Sequence, residues 1–291
     1  ASLKRLEIGS SLGINELLYI GDQLRVAKRA IVYGVHENDI TFEPDSLESD
    51  FRLLDDVKVL AKEIERCILS EDSISDDASP KLSGIRQKQK NIVSRMHSEL
   101  NHIMNAHRDY LTEAIITLRD NAYCLPVKAE FKNKVNGVVH DQSASGSTYF
   151  IEPIAVIQMN NEVKELQIEE KKEIEKILEN LSSMCLPYTK VLESNQDILA
   201  NLDFIFSKAK LSSKLNASEP EFNNDYYINL KDARHPLLDT SKVVPINISV
   251  GGEYDLLVVT GPNTGGKTVS LKTVGLFTLM GQAGLHIPAF S

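Results

Sequence analysis

One run of residues with helical spacing constrains the fold of this chain more than any other feature. Its mainly apolar positions, with His107 among them, follow one another at intervals of three or four residues: Ile92, Met96, Leu100, Ile103, His107, Tyr110 and Ala114. Such a narrow seam is typical of a helix that packs along one partner helix, as in a coiled coil. A single helix over 81–116 would be about 50 Å long at 1.5 Å per residue. Because a globular core does not need so long a rod, we expect an arm.

A second long helix and a short sheet complete the predicted arm. Residues 154 to about 184 form the second helix, and its middle, 167–173, is polar except for Ile168. Between the helices, turn residues separate segments of strand-like composition at 123–127, 135–140 and 147–151. We therefore predict an antiparallel helical hairpin with a small β-sheet at its end, and we call residues 117–153 the tip.

The remaining segments frame this arm. Helical spacing predicts further helices over 14–35, over 45–69 with its start at Asp45 or Ser46, and from about 187 to 215. The predicted order is a helical core and lever (1–80), an ascending arm helix (81–116), a β-rich tip (117–153), descending arm and lever helices (154–215), and an incomplete α/β domain (225–291). The fold class is thus mainly α with an α/β part.

Charge and cysteine usage narrow the function classes. Residues 41–77 hold 12 acidic and 4 basic side chains, whereas residues 81–134 hold 10 basic and 5 acidic ones. The basic stretch either meets a phosphate backbone or is one of two solvated faces of opposite sign. No apolar run approaches the ~20 residues of a membrane-spanning helix, so no membrane partner is expected. Three scattered cysteines fit neither a disulfide framework nor a zinc site, and they favour the cytoplasm.

A phosphate-binding loop is the clearest chemical signal. The pattern G-x-x-x-x-G-K-S/T is matched by Gly261, Pro262, Asn263, Thr264, Gly265, Gly266, Lys267 and Thr268. A strand-like segment, 255–260, precedes the loop, and a predicted helix, 269–280, follows it, which is the context that the motif requires. The motif predicts ATP bound at backbone N–H groups, with Lys267 at the β- and γ-phosphates and the Thr268 hydroxyl on Mg²⁺.

The loop and its surroundings resemble the ATPase domain of the MutS family. Pro and Asn take the second and third places of the loop, as they do in that family, and three further segments are similar to its elements: 233–238 (ARHPLL), 245–248 (PINI) and 286–289 (HIPA). In the tip, 125–128, 146–148 and 150–153 resemble the family's clamp. The resemblance covers essentially the whole chain. It is closest to the second MutS type, the bacterial paralogue that lacks the mismatch-reading domain.

This resemblance implies a function. Members of the second type are homodimeric ATPases that bind DNA, and many carry a C-terminal nuclease domain. They are associated with suppression of recombination and, in some bacteria, with the splitting of collided ribosomes. The chain would then hold the lever, the clamp and the start of the ATPase domain. We expect the Walker B acid and the nuclease domain to lie beyond Ser291, and we expect the chain alone to be inactive as an enzyme.

The tip is where we expect nucleic acid to be contacted. Lys128, Lys132 and Lys134 lie within seven residues, and His140 would add a pH-dependent contact. None of them lies in a base-reading motif, so contacts to branched or duplex DNA would be made to the backbone. The alternative is that these lysines only keep an exposed sheet edge soluble.

Other interpretations remain open. An SMC-like or Rad50-like coiled-coil ATPase also carries a hairpin arm, but its phosphate loop normally precedes the arm. A purely structural coiled-coil adaptor would not need the loop. His97, His102 and His107 repeat at intervals of five, which places them about 140° apart on a helix, so they do not suit a metal. Cys124 is expected to be a core thiol.

Overall fold

The computed structural model describes residues 2–35, 46–120, 122–239, 241–262 and 265–290. The chain divides into two compact units, Ala1–Asn195 and Gln196–Ser291. Over the described residues, the first unit is mainly helical with two small antiparallel sheets, and the second combines two helices, of which the first begins in the first unit, with a two-stranded sheet. The described helices include none that is both long enough and apolar enough to cross a membrane.

The base of the first unit is a helical core. It comprises α1 (Ser2–Glu7), α2 (Ile14–Gly34), α3 (Glu48–Leu53), α4 (Lys58–Cys67) and the short hairpin of β1 (Ile68–Ser70) and β2 (Ser73–Ile74). The start of α2 is capped because Glu16 Oε2 accepts a hydrogen bond from the Gly13 N–H at 3.0 Å. Leu17 and Leu24 of α2 pack in one buried cluster with Leu60 of α4 and with Leu181 and Leu192.

The predicted single helix over 45–69 is wrong, because the chain breaks between α3 and α4. Asn195, which is fully buried, pairs with the backbone of Asp55 at this break. Its Oδ1 accepts from the Asp55 N–H at 3.1 Å, and its Nδ2 donates to the Asp55 carbonyl at 2.7 Å. Asp55 Oδ1 in turn accepts from the Val57 N–H at 2.9 Å, so the break is hydrogen-bonded rather than frayed. Of the two expected cap residues, Ser46 lies in a turn and Asp45 lies outside the described residues.

The arm consists of α5 (Pro80–Ala106) and α6 (Ile154–Cys185), and α7 (Thr189–Leu215) follows it. Ser79 caps α5 by accepting a hydrogen bond from the Leu82 N–H at 3.0 Å, and Pro80 occupies the first turn, where its missing N–H costs nothing. Ile92, Met96 and Leu100 of the predicted seam are buried, in one cluster with Val156 and Leu166 of α6. The bounds of α6 and α7 are within two residues of those predicted for the second arm helix and for the helix after it.

The first arm helix is shorter than predicted, since α5 ends at Ala106 rather than near residue 116. After a 3₁₀ turn at Arg108–Tyr110, Leu111 forms an antiparallel bridge with Val127. The Thr112 N–H also donates to the Pro126 carbonyl at 2.9 Å. The backbone groups of Leu111 and Thr112 therefore pair with the sheet instead of continuing the helix.

The tip is an antiparallel sheet, as predicted. Its strands are β3 (Thr117–Arg119), β4 (Ala122–Lys128), β5 (Gly137–Gln142) and β6 (Thr148–Pro153), in the order β3-β4-β6-β5. Leu125 and Ile151 are paired across β4 and β6 and are buried toward the arm helices. A Cβ on Gly137 would lie only 2.3 Å from the Glu152 carbonyl oxygen, so the close approach of β5 to β6 requires a glycine there.

Besides residues 196–215 of α7, the second unit contains β7 (Ile228–Ala233), β8 (Ile246–Val250) and α8 (Lys267–Gln282). β7 pairs antiparallel with β8, and Ala233, Phe277, Met280, Ile287 and Ala289 form a small core. The predicted buried strand over 255–260 is wrong: this segment is not a strand, and the side chains of Leu256 and Val258 are 77% and 70% exposed. A central strand needs a neighbour to pair with, and no described strand pairs with this segment.

Candidate functional site

The phosphate loop joins the exposed segment 255–260 to the first turn of α8. Gly266 is the N-cap residue in a left-handed conformation with φ 81°, and Gly261 has φ 137°, so glycine suits both positions. The Gly265 N–H donates to the Pro262 carbonyl at 3.0 Å, and the Ser270 N–H donates to the Gly266 carbonyl at 2.9 Å. Asn263 and Thr264 lie outside the described residues.

This geometry provides the helical half of a phosphate site. α8 begins at Lys267 and runs for 16 residues, so the partial positive charge of its N-terminus lies beside the loop. Lys267 is half-buried and Thr268 is exposed, and both lie in the first turn of the helix. A Cβ at Gly261 or at Gly266 would meet nothing within 4 Å, so the space around these two glycines is open. The residues present suit a polyphosphate with its magnesium ion, although the strand that normally precedes the loop is not formed.

The three tip lysines have different surroundings. Lys128 Nζ donates to the Asp109 carbonyl at 2.9 Å and lies 6.0 Å from the centre of the Phe131 ring. Lys132 Nζ lies 4.3 Å above the Tyr149 ring, which is within range of a cation–π interaction. Lys134 is exposed at the end of the 3₁₀ helix Ala129–Lys134, which also contains Lys132. All three belong to one short segment, as their spacing implied.

His140 pairs with a carboxylate inside the tip. Its Nε2 lies 2.5 Å from Glu152 Oε2, and the His140 and Glu152 side chains are only 18% and 7% exposed. Glu152 also accepts a hydrogen bond from Asn160 of α6, so it connects the sheet to the arm. The expected phosphate contact of His140 therefore competes with a partner inside the tip.

Arg119 is a tip cation that sequence reasoning counted in the basic stretch but did not single out. Its guanidinium lies 4.3 Å above the Phe150 ring, and its Nε is 3.6 Å from Asp141 Oδ2. These partners come from β6 and β5, which are distant from β3 in sequence. The alternation of side chains along β6 places Tyr149 and Phe150 on opposite faces, which is the only signal that could have suggested a second cation–aromatic pair.

The acidic and basic stretches meet at the base of the arm. Arg86 Nη1 lies 2.6 Å from Asp76 Oδ1, and Arg86 Nε lies 2.7 Å from Glu170 Oε1. The hydrogen bond from Arg86 holds the pKa of the Asp76 carboxyl below its usual range. Part of the charge pattern is thus satisfied within the molecule, and Arg86 is not available to a phosphate backbone.

Thiols and histidines do not form a second reactive centre in the part of the chain that the structure describes. All three cysteines are free and buried, and burial raises the pKa of the Cys124 thiol to about 12 and that of Cys185 to about 11. Cys124 is thus a core thiol, as expected. His97 packs edge-on against Tyr123 at 5.1 Å, and His107 stacks on Tyr110 at 5.4 Å. Over the described ranges, no three His, Cys, Asp or Glu side chains come together to hold a metal.

Comparison with known proteins gives consistent matches. The chain is 54% identical to a protein named endonuclease MutS2 from Agathobacter rectalis, over 99% of this chain and 37% of that protein. Proteins of the same name from Lachnoclostridium phytofermentans and Clostridioides difficile are 53% and 47% identical to it over the same share of this chain. The chain thus spans about 37% of the length of these relatives. No family model matches it.

Proposed function

We propose that this chain, which belongs to the MutS2 family, is the nucleotide-binding and nucleic-acid-contacting part of an ATP-dependent clamp. The relatives named above match it over 99% of its length. The observation that carries the proposal is the phosphate loop at the N-terminus of α8, in a unit that follows the arm in the chain. That order also favours the MutS type over an SMC-like ATPase.

In this proposal, each group at the loop has one task. The backbone N–H groups at the start of α8 bind phosphate oxygens, Lys267 neutralises the β- and γ-phosphates, and the Thr268 hydroxyl holds Mg²⁺. ATP and Mg²⁺ supply the phosphoryl chemistry when bound. Hydrolysis further requires an acidic residue that orients water, and we assign that role to no residue of this chain.

The tip is the proposed contact with nucleic acid, and Lys128, Lys132 and Lys134 are its cations. Two of them lie over aromatic rings, which holds their charges in place on the tip. His140 is a weaker candidate because Glu152 already binds it. The relatives carry the name endonuclease. For a longer cytoplasmic protein that contains this chain, and not for the chain by itself, we propose nuclease activity and homodimer formation. We propose DNA or collided ribosomes as the substrates of that longer protein.

The nucleotide site is tested by Lys267→Ala. We expect this change to weaken binding of a fluorescent ATP analogue with Mg²⁺ by about tenfold or more, since it removes the charge at the β- and γ-phosphates. Lys272→Ala is the matched control, because Lys272 is an exposed lysine on the same helix. Equal losses in both variants, or no loss in either, would contradict the assignment of the loop.

The nucleic-acid contact is tested by a salt titration of duplex binding. For the triple variant Lys128→Ala, Lys132→Ala, Lys134→Ala, we expect weaker binding and a slope of log K against log salt that is flatter by about 0.9 per lost contact. Three exposed lysines outside the tip provide the control triple: Lys4→Ala, Lys171→Ala and Lys172→Ala. If the tip variant and the control bind with the same affinity and slope, the lysines only keep the sheet soluble.

A further inference from the structure

A cavity in the second unit lies apart from the phosphate loop. It has a volume of about 490 Å³ and lies between the segment 219–230, the second half of α8 and the residues 287–290. The first α8 residue on its wall is Val274, about 10 Å along the helix axis from Lys267 at 1.5 Å per residue. The cavity is therefore too far along α8 to be part of the phosphate site, and its volume is in the range of specific ligand sites.

Five aromatic residues line this cavity: Phe222, Tyr226, Tyr227, Phe277 and Phe290. Phe277 is buried beneath it, whereas Phe222, Tyr226 and Phe290 at its edge are 66%, 95% and 49% exposed. Exposed aromatic side chains grouped around a concavity indicate a binding surface, since apolar area of this kind gains most from being covered.

The loop that carries Phe222 and Tyr226 is held by its own hydrogen bonds. Asn223 Oδ1 accepts from the backbone N–H groups of Asp225 at 3.0 Å and Tyr227 at 3.3 Å, and Asn223 Nδ2 donates to the Tyr227 carbonyl at 2.9 Å. Tyr226 is held with φ 53°, a left-handed conformation that is rare for an aromatic residue. The backbone of Tyr226 is thus strained, and its ring is 95% exposed.

The charge of the cavity selects its ligand. Glu219 and Glu221 line it and are exposed, and among the described residues that line it none is a lysine or an arginine. Pro220 and Phe222, which alternate with these acids, contact Gly281 of α8: a Cβ there would come within 3.4 Å of the Pro220 ring and 2.8 Å of the Phe222 ring. An aromatic cavity with carboxylates at its edge attracts an organic cation and repels phosphate.

We propose that this cavity is a docking site for an arginine side chain carried by an extended segment of a partner protein. A planar guanidinium stacks on aromatic rings and forms paired hydrogen bonds with a carboxylate, which suits this lining better than a compact ammonium group. The adjoining segment 219–222 makes no backbone–backbone hydrogen bond within the described residues. Its four carbonyls, and its N–H groups other than at Pro220, which has none, are therefore available to a peptide.

The test uses a capped Ala-Arg-Ala peptide and its Ala-citrulline-Ala counterpart, which has nearly the same shape but no charge. Nine tyrosines are present in the chain, and two of them, Tyr226 and Tyr227, line the cavity. With ¹³C-labelled tyrosine in the 291-residue chain, we expect the arginine peptide to shift only these two NMR signals, in a saturable manner and with a dissociation constant of millimolar order.

Control variants separate the charge from the fold. We expect Glu219→Gln with Glu221→Gln to weaken arginine binding by about three- to tenfold, while Asp203→Asn, an exposed acid of the same unit outside the cavity, changes nothing. Equal binding of the citrulline peptide, or no shift at Tyr226 and Tyr227, would overturn the proposal. Spermidine that competes as well as the arginine peptide would replace the docking site with a site for small cations. None of these outcomes depends on the phosphate loop.

Discussion

At the scale of single residues, buried polar groups in the first unit are paired across long sequence separations. Glu173 of α6 illustrates this: it is 6% exposed, accepts a hydrogen bond from the Ser79 hydroxyl at 2.8 Å and lies 3.3 Å from Lys81 Nζ. The hydrogen bond from Ser79, followed by that from Lys81, holds the pKa of Glu173 below its usual value of 4.5. Ser79 also caps α5, so one carboxylate supports the start of the arm.

This arrangement gives a pH dependence with a definite sign. The Glu173 pKa is lower in the folded chain, so its contribution to stability is present above pH 4.5 and is lost as the pH falls through the folded value. We expect Glu173→Gln to lower the free energy of unfolding by about 1 kcal/mol at pH 7, and the gap to close in strongly acidic buffer. Urea unfolding at several pH values measures this. Glu175→Gln, an exposed neighbour, should track the unmodified chain, and a gap that persists in acid would disprove the assignment.

At the scale of elements, the periodic signals predicted α2, α6 and α7, while local spacing missed two helix ends. The break before α4 depends on Asn195, which lies 140 residues from Asp55, and the end of α5 depends on pairing with β4. Neither partner can be read from a local window, because tertiary contacts override helix propensity. The phosphate loop was readable because its residues are contiguous, whereas Arg119 over Phe150 and Glu152 beside His140 are products of the sheet register.

Substitution by alanine is expected to have opposite effects on stability at two glycines of the first unit. Gly137→Ala would place its Cβ 2.3 Å from the Glu152 carbonyl oxygen, so we expect a loss of about 1–3 kcal/mol and faster amide exchange in β5 and β6. Gly84→Ala, within α5, meets nothing within 4 Å and should stabilise the chain by about 0.5–1 kcal/mol. Thermal unfolding and hydrogen exchange measure both. Stabilisation by Gly137→Ala would show that β5 does not approach β6 as described.

At the scale of the whole molecule, the phosphate loop is bordered by a formed helix on one side and an exposed apolar segment on the other. The apolar side chains of Leu256 and Val258 suit a strand that is buried on both faces of a sheet, yet both are exposed here. The apolar run over 255–260 predicts a buried strand, and that prediction is wrong. Burial of such a run depends on neighbouring strands, which composition does not reveal.

We therefore expect this chain to bind ATP with Mg²⁺ but to hydrolyse it no faster than the background rate. Binding needs only the loop and the first turn of α8, whereas turnover also needs a residue that positions the attacking water. A phosphate-release assay on the purified chain, with Lys267→Ala as the blank, measures this. Turnover that disappears in Lys267→Ala would show that the chain already contains a complete catalytic site.

The two arm helices are attached to the tip in unequal ways, and this has a mechanical consequence. β6 ends at Pro153 and α6 begins at the next residue, whose N–H donates to the Asn136 carbonyl at 3.1 Å. α5, in contrast, reaches β3 only through residues 107–116. The sheet is thus joined to α6 with no intervening residue, whereas its connection to α5 is ten residues long and is held to β4 at Leu111 and Thr112. If α5 and α6 shift along each other, we expect residues 107–116 to take up the displacement and the sheet to move with α6.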